Sequence, residues 1–299
     1  MRPNRPAGPS KRQRRRRHVV QTVWTAMTNA WVVGFASGQL YTGPLKRLCV
    51  PGLNCYSCPG ALGSCPIGAL QAVLGSRQYQ MAFYVVGFLM LVGALCGRFV
   101  CGWLCPFGWV QELLHKIPFP KKIRSFRGDR LLRGLKYVVL AVLVILLPMF
   151  AVDVVGTGQP AFCKYLCPAG TLEGGVPLVL LQEGLRNVVG WLYAWKMAIL
   201  IGIVLLSIAL YRPFCKYLCP LGAIYALCNR VSLVRYRIDE AACTDCGACA
   251  KVCPMQVDVR RNPNGAECIR CGACRTACSA GAIGTLLPRP GRKPNVEEQ

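Results

Sequence analysis

The sequence predicts a mainly α-helical membrane protein, with four transmembrane helices in two pseudo-repeated halves and a small α+β module at the C-terminal end. Two observations carry this prediction: four long apolar runs precede the module, and 20 cysteines recur in repeated motifs. The 299 residues, 54% of them hydrophobic, are enough for one or two domains. The predicted parts are a basic tail at 1–18, a four-span domain at 19–230, the module at 231–285 and a flexible tail at 286–299.

Each apolar run is close to the roughly 20 residues that an α-helix needs to cross about 30 Å of hydrocarbon. A soluble helical bundle is the alternative, but soluble helices keep a polar stripe that these runs barely show. The first run is too long for a cleavable signal peptide. Tyr211 and Arg212 close the last run, as interfacial anchors do. The runs cover about Val19–Tyr41, Tyr79–Val100, Leu135–Val155 and Trp191–Tyr211.

Lysine and arginine residues predict the orientation of the spans. They cluster before the first run, after the second and after the fourth, and the other two loops are much poorer in positive charge. Positive charge marks the cytoplasmic side, so a multi-pass protein of the cytoplasmic membrane with both termini in the cytoplasm is predicted. The net charge of +24 mostly reflects this bias. An arginine-rich tail can instead bind nucleic acid, but no nucleic-acid partner is predicted here. The clusters are Lys11, Arg12, Arg14, Arg15, Arg16 and Arg17; Lys116, Lys121, Lys122, Arg124, Arg127, Arg130 and Arg133; and Arg230, Arg235 and Arg237.

Two runs of four cysteines with identical spacing, Cys-x2-Cys-x2-Cys-x3-Cys, lie near the C-terminal end. This is the pattern of bacterial two-cluster ferredoxins, in which the fourth cysteine of each run binds the other cluster. A zinc ribbon, the alternative, usually has two cysteine pairs far apart, and disulfides are disfavoured on the reducing side. The predicted ligand sets for two [4Fe–4S] clusters are Cys243, Cys246, Cys249 and Cys278, and Cys268, Cys271, Cys274 and Cys253.

A second motif, Cys-Pro-x-Gly-x-aliphatic, occurs four times: CPIGAL at 65, CPFGWV at 105, CPAGTL at 167 and CPLGAI at 219. In the last three copies another cysteine lies four residues earlier, namely Cys101, Cys163 and Cys215, and the heptapeptide FCKYLCP occurs twice. In the first copy the nearest earlier cysteine is Cys58. One predicted span separates each copy from the next, so the copies alternate between the outer and inner faces.

The motif suits a metal cluster. Proline is favoured at the first helical position, so each motif is expected to open a helix with its cysteine at the cap, where free amides and the helix dipole favour a thiolate and an anionic iron–sulfur centre. Two pairs on one side complete a four-cysteine set. The inner set is Cys101, Cys105, Cys215 and Cys219, and the outer set is drawn from Cys58, Cys65, Cys163 and Cys167. The alternatives are small buried hydrophobic residues and, on the outer face, disulfides.

Four cysteines and two histidines remain outside these sets. Cys49 and Cys55 are expected to form an outer disulfide or to replace a ligand of the outer set, and Cys96 and Cys228 are expected to be packing residues. His18 and His115 are interpreted as interfacial residues beside basic runs.

The segments NCYSCPGALGSCPIGALQ, CGWLCPFGWVQELLHKIP, CKYLCPAGTLEGG and CKYLCPLGAI, followed by the eight-cysteine module, resemble the membrane-bound polyferredoxins. These include the NapH-type subunit of periplasmic nitrate reductase systems and the C-terminal half of NosR-type regulators. The resemblance covers roughly residues 20–280. It implies an integral membrane electron-transfer protein with redox partners on both sides, in a family associated with quinol oxidation, flavin-binding membrane partners and periplasmic reductases. This chain differs from the simplest NapH-type pattern by its additional outer Cys-Pro motifs.

Electron transfer is therefore the expected function, from cytoplasmic donors or the quinone pool to an extracytoplasmic acceptor that could contain flavin. The cofactors would be two [4Fe–4S] clusters in the module, one further cluster at the inner face and a candidate cluster at the outer face. The alternatives are a quinol or metal oxidoreductase and a redox-sensing regulator or assembly factor. The sequence suggests no catalytic acid, base or nucleophile.

Overall fold

A computed structural model of the chain describes residues 11–76, 80–120, 122–124, 126–151 and 158–285, and this part is mainly helical. The first ten residues, Tyr79, Lys121, Val155 and the tail at 286–299, all used in the predictions above, lie outside the described residues. The α-helices are Lys11–Thr28, Val32–Ser37, Pro66–Ser76, Gln80–Cys96, Phe99–Trp103, Pro106–His115, Asp129–Leu132, Leu135–Val139, Leu147–Phe150, Pro168–Gly170, Val176–Leu181, Glu183–Asn187, Trp191–Ala209, Pro213–Tyr217, Pro220–Cys228, Ala248–Lys251 and Ala273–Ala277. Other helical turns are π-helical at Leu140–Leu146, Phe162–Leu166 and Thr171–Gly175 and 3₁₀ at Pro44–Arg47.

Two helices are long and apolar enough to cross a membrane. They are Asp129–Phe150, which joins four of the helical segments above into 22 residues, and Trp191–Ala209 with 19 residues, each with a mean hydropathy of 2.1. They coincide with the third and fourth predicted runs. In the second run the apolar helical stretch, Phe83–Cys96, is shorter. Four transmembrane helices therefore remain a prediction.

The first run differs most from its prediction. The helix there begins at Lys11, inside the predicted basic tail, and ends at Thr28. The side chains of Thr28 and Asn29 bond back to helical carbonyls, with Asn29 Nδ2 donating to Thr25 O over 3.1 Å. Such bonds compete with continued helical pairing. The remainder of the run contains only the short helix Val32–Ser37.

Four helices run between two ends of the helical domain, which we call the near end and the far end. These helices are Lys11–Thr28, Gln80–Cys96, Asp129–Phe150 and Trp191–Ala209. At the near end, Arg17 pairs with Glu112 over 2.8 Å and Asp129 pairs with Lys216 over 2.5 Å. The carbonyl of Cys96 accepts a hydrogen bond from Arg270 of the C-terminal module. The near end is therefore the end that carries the module.

The far end collects the other helix termini. The carbonyl of Thr28 accepts from the Leu62 amide, and the Tyr84 hydroxyl accepts from the Cys49 amide over 3.2 Å. Lys196, in the first turns of the helix Trp191–Ala209, donates to the Cys163 carbonyl over 3.3 Å. Successive long helices therefore alternate in direction, and each connects the two ends.

The C-terminal module is closed by two short antiparallel strands, Tyr236–Ile238 and Ile283–Thr285, with Tyr236 opposite Thr285. Its two cysteine runs share one backbone shape. Asp245 and Arg270 precede equivalent cysteines and have φ values of 48° and 51°, and the glycines two residues later also have positive φ. The doubled spacing in the sequence thus corresponds to a doubled local structure.

A buried ion-pair network holds the module on the near end. Glu267 pairs with Arg98 over 2.7 Å and with Lys136, and the side chains of both cations are 0% exposed. Asn229 adds hydrogen bonds to the carbonyls of Gly265 and Cys268, 2.7 and 3.1 Å long. Breaking one partner of such a buried pair typically costs about 3–5 kcal/mol, so the module and the helical domain form a firm interface.

Candidate iron–sulfur sites

Cysteine caps the helix in three of the Cys-Pro motifs. The Sγ atoms of Cys105, Cys167 and Cys219 accept hydrogen bonds from the amide of the glycine three residues later, at 3.4, 3.3 and 3.3 Å. Proline follows each cysteine as the first helical residue. The capping geometry expected from the sequence is therefore present. It directs amide dipoles at sulfur, which favours the thiolate form.

The four cysteines of the inner set meet at the near end. Cys101, Cys105, Cys215 and Cys219 are each at most 6% exposed, and they lie within electrostatic range of one another. Pro106–His115 and Pro220–Cys228 begin at this site. The sequence prediction that each half contributes one pair agrees with this placement, and cluster binding by the set remains a prediction.

Two buried arginines join the halves of the inner set reciprocally. Arg98 donates to the carbonyl of Cys215 over 3.1 Å, and Arg212 donates to the carbonyl of Cys101. Each lies three residues before the first cysteine of its own motif. Arg212 is 0% exposed, pairs with Glu112 over 2.9 Å and has a positive φ of 50°. Its interpretation as an interfacial anchor was therefore wrong, because the carboxylate and the cysteine carbonyl hold it inside the protein.

Two glutamines connect the first half of the chain to the two FCKYLCP segments. Gln111 donates from Nε2 to Cys215 Sγ over 3.2 Å and accepts from the Phe214 amide over 3.1 Å. Gln71 makes the same contacts in the far-end site, to Cys163 Sγ over 3.2 Å and from the Phe162 amide over 2.9 Å. The two sites are therefore built on one plan.

At the far end, the structure groups Cys55, rather than Cys58, with the other cysteines. A Cβ added at Gly170 would lie 3.6 Å from both Cys55 Sγ and Cys167 Sγ. A Cβ at Gly68 would lie 3.8 Å from Cys163 Sγ. Cys55, Cys65, Cys163 and Cys167, together with Cys49, line a cavity of about 1120 Å3, and Cys58 is not among its lining residues.

Glu173 closes the far-end site on the side of Cys55. Its Oε2 accepts a hydrogen bond from the Cys55 amide over 2.6 Å. Burial raises the pKa of Glu173 to about 8. The protein interior therefore disfavours a negative charge on this carboxyl beside the site.

The eight cysteines of the C-terminal module divide into the two crossed groups expected from the sequence. Cys243, Cys246, Cys249 and Cys278 line one small cavity, and Cys253, Cys268, Cys271 and Cys274 line another. The fourth cysteine of each run thus lies with the other run. Ligation by these groups remains a prediction.

The remaining cysteines are all free thiols, including Cys49 and Cys55, for which a disulfide was one expectation. Cys228 packs beside the helix Gln80–Cys96, where a Cβ added at Gly93 would lie 2.7 Å from its Sγ. This contact agrees with a packing role for Cys228. Cys96 is partly buried at the end of that helix.

Four thiolates grouped in one place are the ligand set of a [4Fe–4S] cubane, in which each thiolate binds a different iron. Within the described ranges, no three His, Cys, Asp or Glu side chains are arranged to hold one metal ion. Burial raises the pKa of Cys65 and Cys163 to about 12, so thiolates there need a cation to balance their charge. Space free of side chains lies beside Cys163 Sγ at Gly68, and beside the Sγ atoms of Cys55 and Cys167 at Gly170.

Comparison with known proteins identifies iron–sulfur binding segments in the chain. Residues 80–127, 138–176 and 193–238 match a family described as a 4Fe-4S binding domain, and residues 237–257 match a second family with the same description. These matches bear out the resemblance to the polyferredoxins that was expected from the sequence. Iron–sulfur binding and a role in electron transport, both expected from the sequence, are thereby confirmed.

Proteins of several organisms are similar to this chain over part of its length. The methylamine utilization ferredoxin-type protein MauN of Methylorubrum extorquens is 29% identical over 193 residues, 64% of this chain and 55% of MauN. The regulatory protein NosR of Pseudomonas aeruginosa is 29% identical over 168 residues, 54% of this chain and 21% of NosR. The uncharacterized protein MJ0749 of Methanocaldococcus jannaschii is 27% identical over 222 residues, 71% of this chain and 73% of that protein. The chain thus spans about half the length of MauN and a fifth of NosR. No solved structure matches the chain.

One short segment bridges the near-end and far-end sites. A Cβ added at Gly52 would lie 3.2 Å from Cys105 Cα, and Cys55 follows three residues later in the far-end site. Three extended residues span at most about 11 Å. The fully buried Tyr225 donates to the Pro51 carbonyl over 3.0 Å and lies within electrostatic range of Cys101, Cys105 and Cys65.

The module also contacts the near-end site directly. A Cβ added at Gly102 would lie 2.2 Å from the Ile269 carbonyl oxygen. These residues directly follow Cys101 and Cys268, each a predicted ligand. Trp103 donates to the Arg270 carbonyl over 3.0 Å. Only a glycine permits this approach, so Gly102 sets the distance between the two sites.

The sequence analysis missed four residues that organise these sites: Arg98, Arg212, Gln71 and Gln111. Each follows a repeated offset that the sequence contains. Arginine lies three residues before Cys101 and Cys215, and glutamine lies six residues after Cys65 and Cys105. The same offset in the other two motifs gives Glu173 and Tyr225, which also bond to the segment Pro51–Cys55. Comparing the motifs on both sides, three residues before the first cysteine and six residues after the Cys-Pro cysteine, would have identified all of them.

Proposed function

We propose that this chain is an integral membrane protein that carries electrons between the cytoplasmic side and an extracytoplasmic acceptor. Gly102 of the near end meets Ile269 of the module, and Cys105 meets Gly52 in the segment that leads to the far end. These contacts between neighbouring cysteine sets are the observation that carries the proposal. A [4Fe–4S] cluster bound at each set would accept and release one electron at a time. The donor would be a cytoplasmic redox protein or the quinone pool, and the acceptor could contain flavin.

The near-end ligands in this proposal are Cys101, Cys105, Cys215 and Cys219. For the far end we assign Cys55, Cys65, Cys163 and Cys167. Cys58 is replaced because Cys55 Sγ, and not Cys58 Sγ, shares the space beside Gly170 with Cys167 Sγ. The two sets of the module keep the crossed assignment.

The membrane arrangement is proposed from charge and helix direction. The near end carries the basic residues and the module, so it faces the cytoplasm. The four long helices alternate between the two ends, which supports four spans with both termini inside, although only two of them are individually long and apolar enough. The far-end cavity would then face the extracytoplasmic side, where an acceptor can approach the fourth set.

In this proposal the protein controls the reduction potentials of the clusters and the distances between them. Amide and glutamine donors at sulfur, such as Gln111 on Cys215, stabilise the reduced, more negative state. Buried contacts at Gly52 and Gly102 keep successive sets close. Neither function needs an acid, a base or a nucleophile.

A regulatory function is the second candidate. It is favoured by the similarity over 54% of this chain to NosR, which is named a regulatory protein. A redox-sensing regulator would need its clusters to change state, but not to pass electrons to the far end.

Proteoliposomes distinguish these functions. We expect a membrane-impermeant reductant outside the vesicles to reduce ferricyanide trapped inside, when the module faces outward, much faster than in protein-free vesicles. Replacing Cys101 and Cys215 with Ser should abolish the excess rate. A wild-type rate equal to that of protein-free vesicles would rule out transmembrane transfer and leave the regulatory function.

A further inference from the structure

A cavity of about 500 Å3 lies at the near end, where the helix Lys11–Thr28, the helical domain and the C-terminal module meet. It reaches Cys253 and Cys271 of the module, and Leu210, Val252 and Pro254 give it an apolar wall. Ligand sites in proteins commonly enclose about 300–1,000 Å3 and combine apolar walls with a few polar groups. The cavity has the size and lining of a small-molecule site.

Six cations line this cavity, and among the described lining residues none is acidic. Arg17 and Lys216 have carboxylate partners, Glu112 and Asp129. For the other four, no carboxylate lies within ion-pair distance among the residues that the structure describes. The lining cations are Arg14, Arg17, Lys122, Arg124, Lys216 and Lys251.

Arg17 provides the second, independent observation. It is 7% exposed, and its Nη2 is taken by Glu112 at 2.8 Å. Its Nη1 is buried and has no hydrogen-bond partner among the described atoms. A buried guanidinium N–H without an acceptor is unfavourable. Arg17 lines the cavity, so a phosphate whose binding turns the guanidinium toward the cavity would satisfy this N–H.

We propose that this cavity binds a phosphate group, with the lining residue Arg17 as its central cation and Arg14 and Lys251 as flanking cations. Arginine matches phosphate because its planar fork donates parallel hydrogen bonds. The phosphate belongs either to an anionic phospholipid headgroup, since basic pockets at the cytoplasmic side of transmembrane helices bind such groups, or to a soluble phosphate compound. Both sources share the same chemistry, and the inference does not require electron transfer to the far end.

Two double variants distinguish binding in the cavity from a general effect of positive charge. Arg14→Gln with Lys251→Gln removes two exposed lining charges, and Arg12→Gln with Arg16→Gln removes two exposed charges that do not line the cavity. Arg17→Lys keeps a cation for Glu112 but removes the fork. All three are compared as cluster-loaded, full-length protein, and their iron content shows whether they fold.

The first arm titrates inorganic pyrophosphate into the protein in a neutral, lipid-free detergent at low salt, followed by calorimetry. The second arm measures, by native mass spectrometry, phosphatidylglycerol retained after release from nanodiscs of phosphatidylglycerol and phosphatidylcholine. In at least one arm we expect the wild-type protein to bind one equivalent of the ligand. Arg14→Gln with Lys251→Gln (the lining variant) and Arg17→Lys should bind it about tenfold more weakly, and Arg12→Gln with Arg16→Gln (the control variant) should bind it as the wild type does. The arm that shows binding identifies whether the phosphate belongs to a soluble compound or to a lipid.

Absence of stoichiometric binding in both arms overturns the proposal, and so does equal weakening by the lining and control variants. In either case the six cations only balance the charge of the neighbouring clusters. The function proposed above is tested by vesicle reduction, so the two inferences fail independently.

Discussion

Gln111 donates a hydrogen bond to Cys215 Sγ over 3.2 Å, while its carbonyl oxygen holds the amide of Phe214. One side chain from the first half of the chain thus fixes the start of the second FCKYLCP segment and the surroundings of its first sulfur. Gln71 repeats both bonds at Cys163 and Phe162. This repetition links the halves of each four-cysteine site and makes the two sites comparable.

We predict that Gln111→Ala lowers the reduction potential of the near-end cluster. A donor at a ligand sulfur stabilises the reduced state more than the oxidised state. If the difference is about 1 kcal/mol, the shift is about 40 mV for one electron. A redox titration followed by EPR measures it.

Gln71→Ala is the matched control, because it removes the equivalent bond at the far end. It should shift a different EPR signal and leave the near-end potential unchanged. A shift of the same signal by both variants would contradict the assignment of the two glutamines to separate sites.

The composition of the far-end set gives a second prediction. Cys55→Ser should remove about four irons per chain, because Cys55 Sγ shares the space beside Gly170 with Cys167 Sγ. Cys58→Ser should retain the wild-type iron content, since Cys58 does not line the far-end cavity. Iron quantification on the two anaerobically purified variants shows which cysteine is the ligand. Loss of iron from Cys58→Ser and not from Cys55→Ser would restore Cys58 to the far-end set.

Gly102→Ala should weaken the docking of the module. The added Cβ would lie 2.2 Å from the Ile269 carbonyl oxygen, a backbone atom that cannot rotate away. Overpacking of this kind typically costs about 1–3 kcal/mol. Hydrogen exchange at the Leu233 and Val234 amides, which bond to the carbonyls of Ala94 and Leu95, should accelerate.

Gly87→Ala provides the control for this variant. It lies in the helix Gln80–Cys96, and a Cβ there meets nothing within 4 Å. Exchange at Leu233 and Val234 should therefore stay at the wild-type rate. Equal exchange in both variants would show that the contact between Gly102 and Ile269 does not control docking.

Much of this architecture could be predicted from the sequence, because cysteine spacing reports metal chemistry directly. The doubled runs at 243–253 and 268–278 and the Cys-Pro caps depend on local backbone geometry, which short motifs determine. The third and fourth apolar runs correspond to helices because their apolar residues are continuous. For these features, neighbouring residues carry the needed information.

Other features depend on contacts distant in sequence. Arg212 follows an apolar run, as an interfacial anchor does, and only the fold brings it to Glu112 and the Cys101 carbonyl. The choice between Cys55 and Cys58 also depends on where the loop meets Gly170, 115 residues after Cys55. The helix end at Thr28 results from side-chain bonds to the backbone, which hydropathy does not record.

The central claim is that four cysteine sets each bind a cluster, and the iron and acid-labile sulfide content per chain tests it most directly. On anaerobically purified full-length protein, the account predicts about sixteen irons with matching sulfide. Replacing Cys101 and Cys215 together with Ser should remove about four irons and leave the EPR signals of the module intact. A content of about eight irons, unchanged in the double variant, would contradict the account, since only the module would then hold clusters.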